Sequence, residues 1–325
     1  MASRSNFEDI SVQWGRPLEE ADRAMQGWWR AVHQDMQPMP DGGRLFFLYD
    51  PMADETSGTS GGRKGAPGVV LFDTQLRKFV RIIPIQLDPR REGVLKYFFL
   101  VNPNDYTFAI CTEMDQGGGR KQLFFWQLRL TPDGMNVSTG LNLLFGPIPI
   151  GDDWIVTMRE DAPELVLLTG PGLTVWRINA LAPAQPIDSF AVAGGNMSQY
   201  YDAVVWRGRM YLLAMRPDEA FDFSHVHTLD LASRGPLSTQ GTQADPQAGF
   251  PPNRKQTGLD ICQGRLYIAG GEIEDRPTGG WFRFQDVWAL DLSDFRWQRI
   301  TGLQLSLALI EPRLSTLENG LVHVW

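Results

Sequence analysis

The fold of this chain is decided by a stretch of sequence that occurs more than once. Residues 286–300 read DVWALDLSDFRWQRI, and residues 68–82 read GVVLFDTQLRKFVRI. The two align without a gap, and the alignment pairs Trp297 with Phe79. A third copy, HVHTLDLASRGP, begins at His225, and an aspartate occupies the same column in all three copies. Each copy predicts an alternating strand, an Asp-led turn and a second strand.

A second element recurs upstream of these copies. It reads GGRLFFLYD, RGRMYLLA and QGRLYIAGG, with fainter equivalents NDYTFAI, PELVLLTG and NGLVHVW. A period of about 40–50 residues with four strands per unit is typical of a β-propeller blade. Six starts therefore predict an all-β, six-bladed propeller with four antiparallel strands per blade, forming a single domain. The predicted blades span approximately residues 28–84, 95–139, 153–193, 200–240, 251–300, and 311–325 together with 7–16.

The unit at residues 251–300 resembles a Kelch repeat. That family has a diglycine at the end of the second strand, an aromatic residue on the third and a Trp on the fourth. The residues in these structural positions are Gly270, Gly271, Trp288 and Trp297, with Phe79 in the Trp position of the first unit. Glycines let one backbone approach another closely, and large aromatics can fill the wedge between blades. The other five units lack the diglycine, so the resemblance rests mainly on this one unit.

Closure of the ring requires strands from both ends of the chain. The last unit, from residue 311 to 325, supplies only two strands. Propellers commonly close by pairing terminal strands, which removes exposed sheet edges. The N-terminal segment 7–16 contains an aromatic, Trp14, that aligns with Trp297. We therefore expect a strand over Asp9–Trp14 to complete the sixth blade.

The net charge and the composition limit which classes of partner and which cell compartment are expected for this chain. The 325 residues carry a formal net charge of -8, which argues against a phosphate-binding surface and so against nucleic acid. No run of about 18 apolar residues occurs, so no membrane span is predicted. The first residues lack the apolar region of a secretory signal, and Cys111 and Cys262 are too few for a disulfide scaffold. We expect a monomeric domain in the cytoplasm or nucleus.

Motifs that could carry chemistry have simpler explanations. The Gly-rich segment 57–67 lacks the spacing of a phosphate-binding loop. His225 and His227 lie on one side of a predicted strand and could share a metal, but alternating polar residues on an outer strand explain them equally well. The sequence therefore assigns no catalytic residue, metal or cofactor. Kelch-like propellers include enzymes, so the resemblance leaves open an enzyme acting on a small molecule such as a sugar.

The long connections between second and third strands are the remaining candidate site. They are Asp50–Pro67, Met114–Arg120, Met215–Phe223 and Glu272–Phe284, and in a propeller they project from one face. Trp and Arg are enriched among interface anchors. The predicted contacts are Arg63, Arg216, Glu272, Arg276, Trp281 and Arg283.

The function predicted from this face is an adaptor or scaffold that binds a protein or peptide. Two alternatives stay open at this point. Trp281 could simply fold onto its own blade. The chain could also be the interaction domain of a longer protein whose activity lies elsewhere.

Overall fold

The computed structural model describes residues 32–49, 67–88, 90–159, 161–182, 186–216, 220–275, 277–305, 308–320 and 322–324. This part of the chain is an all-β propeller built from sheets of four antiparallel strands. In each four-stranded sheet the strands lie in chain order or its reverse, so every blade is a simple meander. No helix in these ranges is long and apolar enough to cross a bilayer. The predicted closing strand within residues 7–16 lies outside the described residues.

The strands group into blades as follows. The first blade contains β1 (Val32–Pro38), β2 (Arg44–Tyr49), β3 (Gly68–Asp73) and β4 (Lys78–Pro84). The second contains β5 (Val94–Asn102), β6 (Thr107–Asp115), β7 (Lys121–Leu130) and β8 (Val137–Ile150). The third contains β9 (Trp154–Met158), β10 (Glu164–Thr169), β11 (Thr174–Asn179) and β12 (Asp188–Ala191). The fourth contains β13 (Tyr200–Trp206), β14 (Arg209–Ala214), β15 (His225–Asp230) and β16 (Ser238–Gly241).

The fifth blade carries an extra hairpin. Its sheet contains β17 (Gly258–Cys262), β18 (Arg265–Ala269), β21 (Asp286–Asp291) and β22 (Arg296–Gln304). Between its second and third strands lie β19 (Glu272–Asp275) and β20 (Gly280–Arg283), which pair with each other as a separate two-stranded sheet. The segment expected to be an irregular connection is therefore a β-hairpin.

The structure has five four-stranded blades, and the prediction of six was wrong in this respect. The last two strands, β23 (Leu314–Thr316) and β24 (Val322–Val324), form a two-stranded sheet. β23 contacts β17 on one side and β1 on the other, so this short sheet lies between the fifth and first blades. It is not a full blade because, among the described residues, no third strand pairs with it.

The recurring aspartates shape the turns that join third and fourth strands. Asp73 Oδ1 accepts hydrogen bonds from the backbone N–H of Gln75 at 2.9 Å and of Leu76 at 2.8 Å. Asp230 and Asp291 accept equivalent bonds two residues on. Four residues after each aspartate the backbone φ is positive, at 53–54° for Arg77, Arg234 and Phe295. The repeated sequence therefore encodes one turn geometry, in which an Asp side chain holds the chain reversal.

The aromatic residues of the fifth blade lie between blades. Trp288 and Trp297 are fully buried and belong to a cluster shared with the fourth blade. The Trp297 indole packs edge-on against Phe223 with a centroid distance of 5.4 Å, and its Nε1 donates to the Phe223 carbonyl at 2.9 Å. In the first blade, Phe79 is buried and packs edge-on against Phe72 at 4.9 Å.

The diglycine is required by close backbone contacts. Gly270 and Gly271 have φ of +64° and +90°. A Cβ at Gly270 would lie 2.8 Å from the Leu309 carbonyl oxygen, and one at Gly271 would lie 2.7 Å from that of Lys255. These two glycines allow the end of β18 to pass against both neighbouring segments.

Candidate functional site: the loop face and the axial cavity

In each four-stranded blade the second strand ends and the third strand begins at the same side of the propeller, here called the loop face. The strands that begin at this end include β13 and β17, so the N-terminal ends of the innermost strands also lie there. Arg63 and Arg276 lie outside the described residues. Arg216 begins the connection in the fourth blade, where its backbone N–H donates to Ala220 at 2.9 Å. The other three predicted contacts belong to the hairpin β19–β20.

The hairpin presents two adjacent aromatic side chains to solvent. Trp281 is 49% exposed and Phe282 is 58% exposed. Trp281 therefore does not fold fully onto its own blade. The Lys255 ammonium lies 4.8 Å from the centre of the Trp281 ring, and the Phe282 ring packs edge-on against Phe284 at 4.9 Å. Arg283 and Glu272 face each other across the hairpin, with Nε and Oε2 separated by 3.3 Å.

The base of the hairpin is fixed to the rest of the loop face. Lys255 and Glu272 exchange two backbone hydrogen bonds of 2.8 and 2.9 Å. The Arg254 guanidinium is fully buried, lies 3.8 Å from the centre of the Phe284 ring and pairs with Asp286. Burial acts to raise the pKa of Asp286, but the hydrogen bonds and the charge of Arg254 outweigh it and hold this pKa below its usual range. This anchored base positions the exposed aromatics.

A cavity of about 440 Å³ lies where the innermost strands converge. Its wall includes residues of β1, β5, β9, β13, β17 and β23, together with the segment 311–313. Every unit of the ring therefore contributes to this space, here called the axial cavity. A volume of this size is within the range of pockets that hold small molecules.

Polar side chains from three separate units meet at the axial cavity. The Tyr201 hydroxyl donates to Glu311 Oε1 at 2.6 Å, and Gln256 Nε2 donates to the same oxygen at 3.1 Å. Asp260 Oδ2 accepts from the backbone N–H of Thr316 at 2.5 Å and from its hydroxyl at 2.7 Å. Because burial and the bond to Glu311 both raise the pKa of Tyr201, this hydroxyl stays protonated.

Two carboxyl groups at the cavity have raised pKa values. Burial raises the pKa of Asp202 to about 6, and the positive charge of Arg313 opposes this only in part. Burial also raises the pKa of Asp260 to about 6, against the hydrogen bonds from Thr316, and the nearby charge of Asp202 adds to the increase. Asp202 and Asp260 are half-buried residues that line the cavity. Each carboxyl group can therefore hold or release a proton near neutral pH.

Sequence reasoning missed this group because no motif contains it. Tyr201 and Glu311 are 110 residues apart, and Asp260 and Thr316 are 56 apart. The available signal was weak: Asp202 and Asp260 are acidic residues within apolar innermost strands, YYDAVVW and GLDIC. An ionisable residue in such a strand indicates a polar interior.

The two histidines of β15 form a small cluster on the fourth blade. The Tyr200 hydroxyl and His227 Nδ1 share a hydrogen bond of 2.5 Å, and the ring centres of His225 and His227 are 5.2 Å apart. His225 Nδ1 lies 3.8 Å from Asp222 Oδ2. Burial, followed by the charge of His225, lowers the pKa of His227 and favours its neutral form. Within the described ranges, no three His, Cys, Asp or Glu side chains are arranged to hold a metal.

Comparison with known proteins adds little beyond these observations. No protein-family model matches the chain, so membership of the Kelch family is not established. No curated protein matches it. Among solved structures, the chain is similar to the structure of YjhT, with a TM-score of 0.49 and 11% sequence identity. That similarity covers 90% of this chain and 93% of YjhT, and at this level it carries no information about ligand or activity.

Proposed function

We propose that the protein binds a protein or peptide partner through the loop face, with the hairpin β19–β20 at the centre of the contact. The observation that carries this proposal is the pair of exposed aromatics, Trp281 and Phe282, on a hairpin whose base is fixed. Binding loses affinity when mobile side chains and loops must be ordered. A hairpin already held by Lys255 and Glu272 avoids much of that loss.

The charges around the aromatics indicate the kind of partner. Glu274 and Arg283 are exposed on opposite strands of the hairpin, Asp275 is half-buried, and Lys255 lies beside Trp281. Glu272 is buried and pairs with Arg283. Aromatic anchors within a rim of mixed charge are typical of protein interfaces. This arrangement favours a partner of mixed charge over a polyanion.

Three finer points stay predictions alongside this proposal. A Kelch-type origin of the repeats is supported by the buried Trp288 and Trp297 and by the positive φ of Gly270 and Gly271. The expected monomeric state and intracellular location follow from the sequence arguments alone. Ring closure by residues 7–16 would complete the two-stranded sheet β23–β24.

A second candidate function is an enzyme that acts on a small molecule such as a sugar. The axial cavity favours it, because Asp202 and Asp260 are neighbouring carboxyl groups that change protonation state near pH 6. Such pairs can serve as general acid and base.

Partner binding can be tested with single substitutions on the hairpin. We first identify a partner by crosslinking and capture with the wild-type chain, and then measure its dissociation constant in purified form. Trp281→Ala and Arg283→Ala should each weaken binding about tenfold or more, as loss of an interface anchor does. Leu76→Ala is the matched control, because Leu76 is 59% exposed in a turn at the opposite end of the first blade.

The stability of each variant is measured together with its affinity, so that a loss of binding is not confused with unfolding. Each of the three variants should lower the free energy of unfolding by no more than about 1 kcal/mol, because the substituted side chains are exposed and the contact between Trp281 and Lys255 is worth about 0.5–1 kcal/mol. Equal binding by Trp281→Ala and the wild type would refute the proposal, and so would a loss of binding in Leu76→Ala alone.

A further inference from the structure

The axial cavity has an excess of negative charge. The wall residues in the described ranges that carry a carboxyl or a basic group are Asp202, Asp260, Glu311, Glu318 and Arg313. Four of these are acidic and one is basic, and Glu318 is at the exposed rim. Charge interactions are stronger inside a protein than in water, so this wall attracts cations and repels polyanions.

The carboxylates differ in how many hydrogen bonds they already accept. Glu311 accepts two on one oxygen, from Tyr201 and Gln256. Asp260 accepts two on Oδ2, both from Thr316. Among the described residues, the Asp202 carboxylate accepts only the backbone N–H of Ala203, at 2.8 Å. An ionised carboxylate can accept about four hydrogen bonds, so Asp202 and Asp260 keep free acceptor sites. A primary ammonium group supplies three donors.

Arg313, the basic residue at the cavity, has a donor without an acceptor among the described residues. Arg313 Nε is buried and donates no hydrogen bond to any described residue. A buried donor without an acceptor is unfavourable, so an oxygen atom that reaches it would be stabilising. On another part of the wall, Tyr97 and Phe99 lie nearly parallel, with an interplanar angle of 13°. Aromatic rings can contact either the carbon skeleton or the charge of a ligand cation.

We propose that the axial cavity binds a small organic amine that also carries a hydroxyl or carboxylate oxygen. The ammonium group would lie between Asp202 and Asp260, and the oxygen would accept from Arg313. This inference goes beyond partner binding by the hairpin and does not depend on it. It also differs from binding of a neutral sugar, which would not use the excess negative charge.

The charge requirement can be tested with matched pairs of ligands. Three amines are titrated into the full chain by calorimetry, each beside a compound with a hydroxyl in place of the ammonium. The pairs are glucosamine and glucose, 4-aminobutanoate and 4-hydroxybutanoate, and ethanolamine and ethylene glycol. At least one amine should bind about tenfold more tightly than its hydroxyl counterpart, since only the amine gains the charge interaction. If no amine binds more tightly than its counterpart, the proposal is wrong.

The pH dependence gives a second, independent measurement. Asp202 faces Asp260, Arg313 and Tyr201, while Asp260 also faces Tyr267 and Thr316. Burial raises the pKa of both tyrosines, so they keep their protons below pH 8, and the change in charge comes from the carboxyl groups. Amine affinity should fall about tenfold or more between about pH 7.5 and about pH 5, because both carboxyl groups become neutral. Unchanged affinity over this range would also overturn the proposal.

Substitutions then locate the site. Asp202→Asn and Asp260→Asn should each weaken the best amine by about tenfold or more, while conserving size. Asp245→Asn is the control, because Asp245 is an acidic residue that does not line the axial cavity. Circular dichroism checks that each variant is folded. Wild-type affinity in a folded Asp202→Asn protein, or an equal loss in Asp245→Asn, would refute the assignment.

Discussion

Replacing Trp297 by alanine should destabilise the propeller by about 3–5 kcal/mol, as large-to-small substitutions in packed cores do. The Trp297 side chain is 0% exposed and belongs to the cluster that joins the fourth and fifth blades. Its indole packs against Phe223 and donates to the Phe223 carbonyl. The substitution therefore removes contacts between two blades.

The magnitude follows from the buried area. A buried aromatic side chain removes about 150–250 Å² from water, which at about 25 cal/mol per Å² is worth about 4–6 kcal/mol. Alanine keeps a small part of that area. Loss of the indole hydrogen bond adds little, because the Phe223 carbonyl still accepts from the Thr242 hydroxyl at 2.6 Å. Packing accounts for most of the effect, so Trp297→Phe should destabilise less than Trp297→Ala.

Urea unfolding followed by circular dichroism measures this difference. Trp281→Ala is the matched control, because Trp281 is 49% exposed and its contact with Lys255 is worth about 0.5–1 kcal/mol at most at such a site. The midpoint should fall strongly for Trp297→Ala and little for Trp281→Ala. Equal midpoints for the two variants would refute the assignment of Trp297 to the core between blades.

Three further outcomes follow from the described contacts. Gly271→Ala should destabilise by about 1–3 kcal/mol more than Gly279→Ala in the same urea assay, because a Cβ at Gly271 meets backbone and one at Gly279 meets open space. Asp286→Asn should destabilise by about 3–5 kcal/mol at neutral pH, because it leaves the buried Arg254 charge without its carboxylate. The pKa of Asp286 is lowered in the folded state, so this stabilisation is present above about pH 4 and is lost as the pH falls through the folded pKa. The pKa of Asp202 is raised to about 6, so its stabilising contribution is lost as the pH rises from about 4 through 6. Asp202→Asn should therefore reduce the pH dependence of the unfolding free energy over that window, and Asp260 should keep the remaining part.

Much of the fold could be predicted because its signals are local. The Asp-led turns recur at Asp73, Asp230 and Asp291, where a side chain bonds to backbone two residues away. Within residues 251–300, the alternation of apolar and polar residues predicts the strands β17 and β18 and the start of β22. The burial of Trp297 follows from its position in the same repeat. Strand limits were less well predicted where pairing is irregular: β8 continues to Ile150, well past the expected end near residue 139, through several shifts in its register with β7.

The sequence by itself determined that this chain forms four-stranded antiparallel units arranged as a propeller. It could do so because a strand, an Asx turn and a buried aromatic each depend on residues within a few positions of one another. The number of complete blades and the hairpin β19–β20 were decided by which strands find partners in three dimensions. The axial cavity is the clearest case, because its polar group joins Tyr201 and Glu311, which are 110 residues apart. Only the packing of the fourth blade, the fifth blade and the β23–β24 sheet around one cavity brings Asp202, Asp260 and Arg313 together, and burial there raises the pKa of both aspartates.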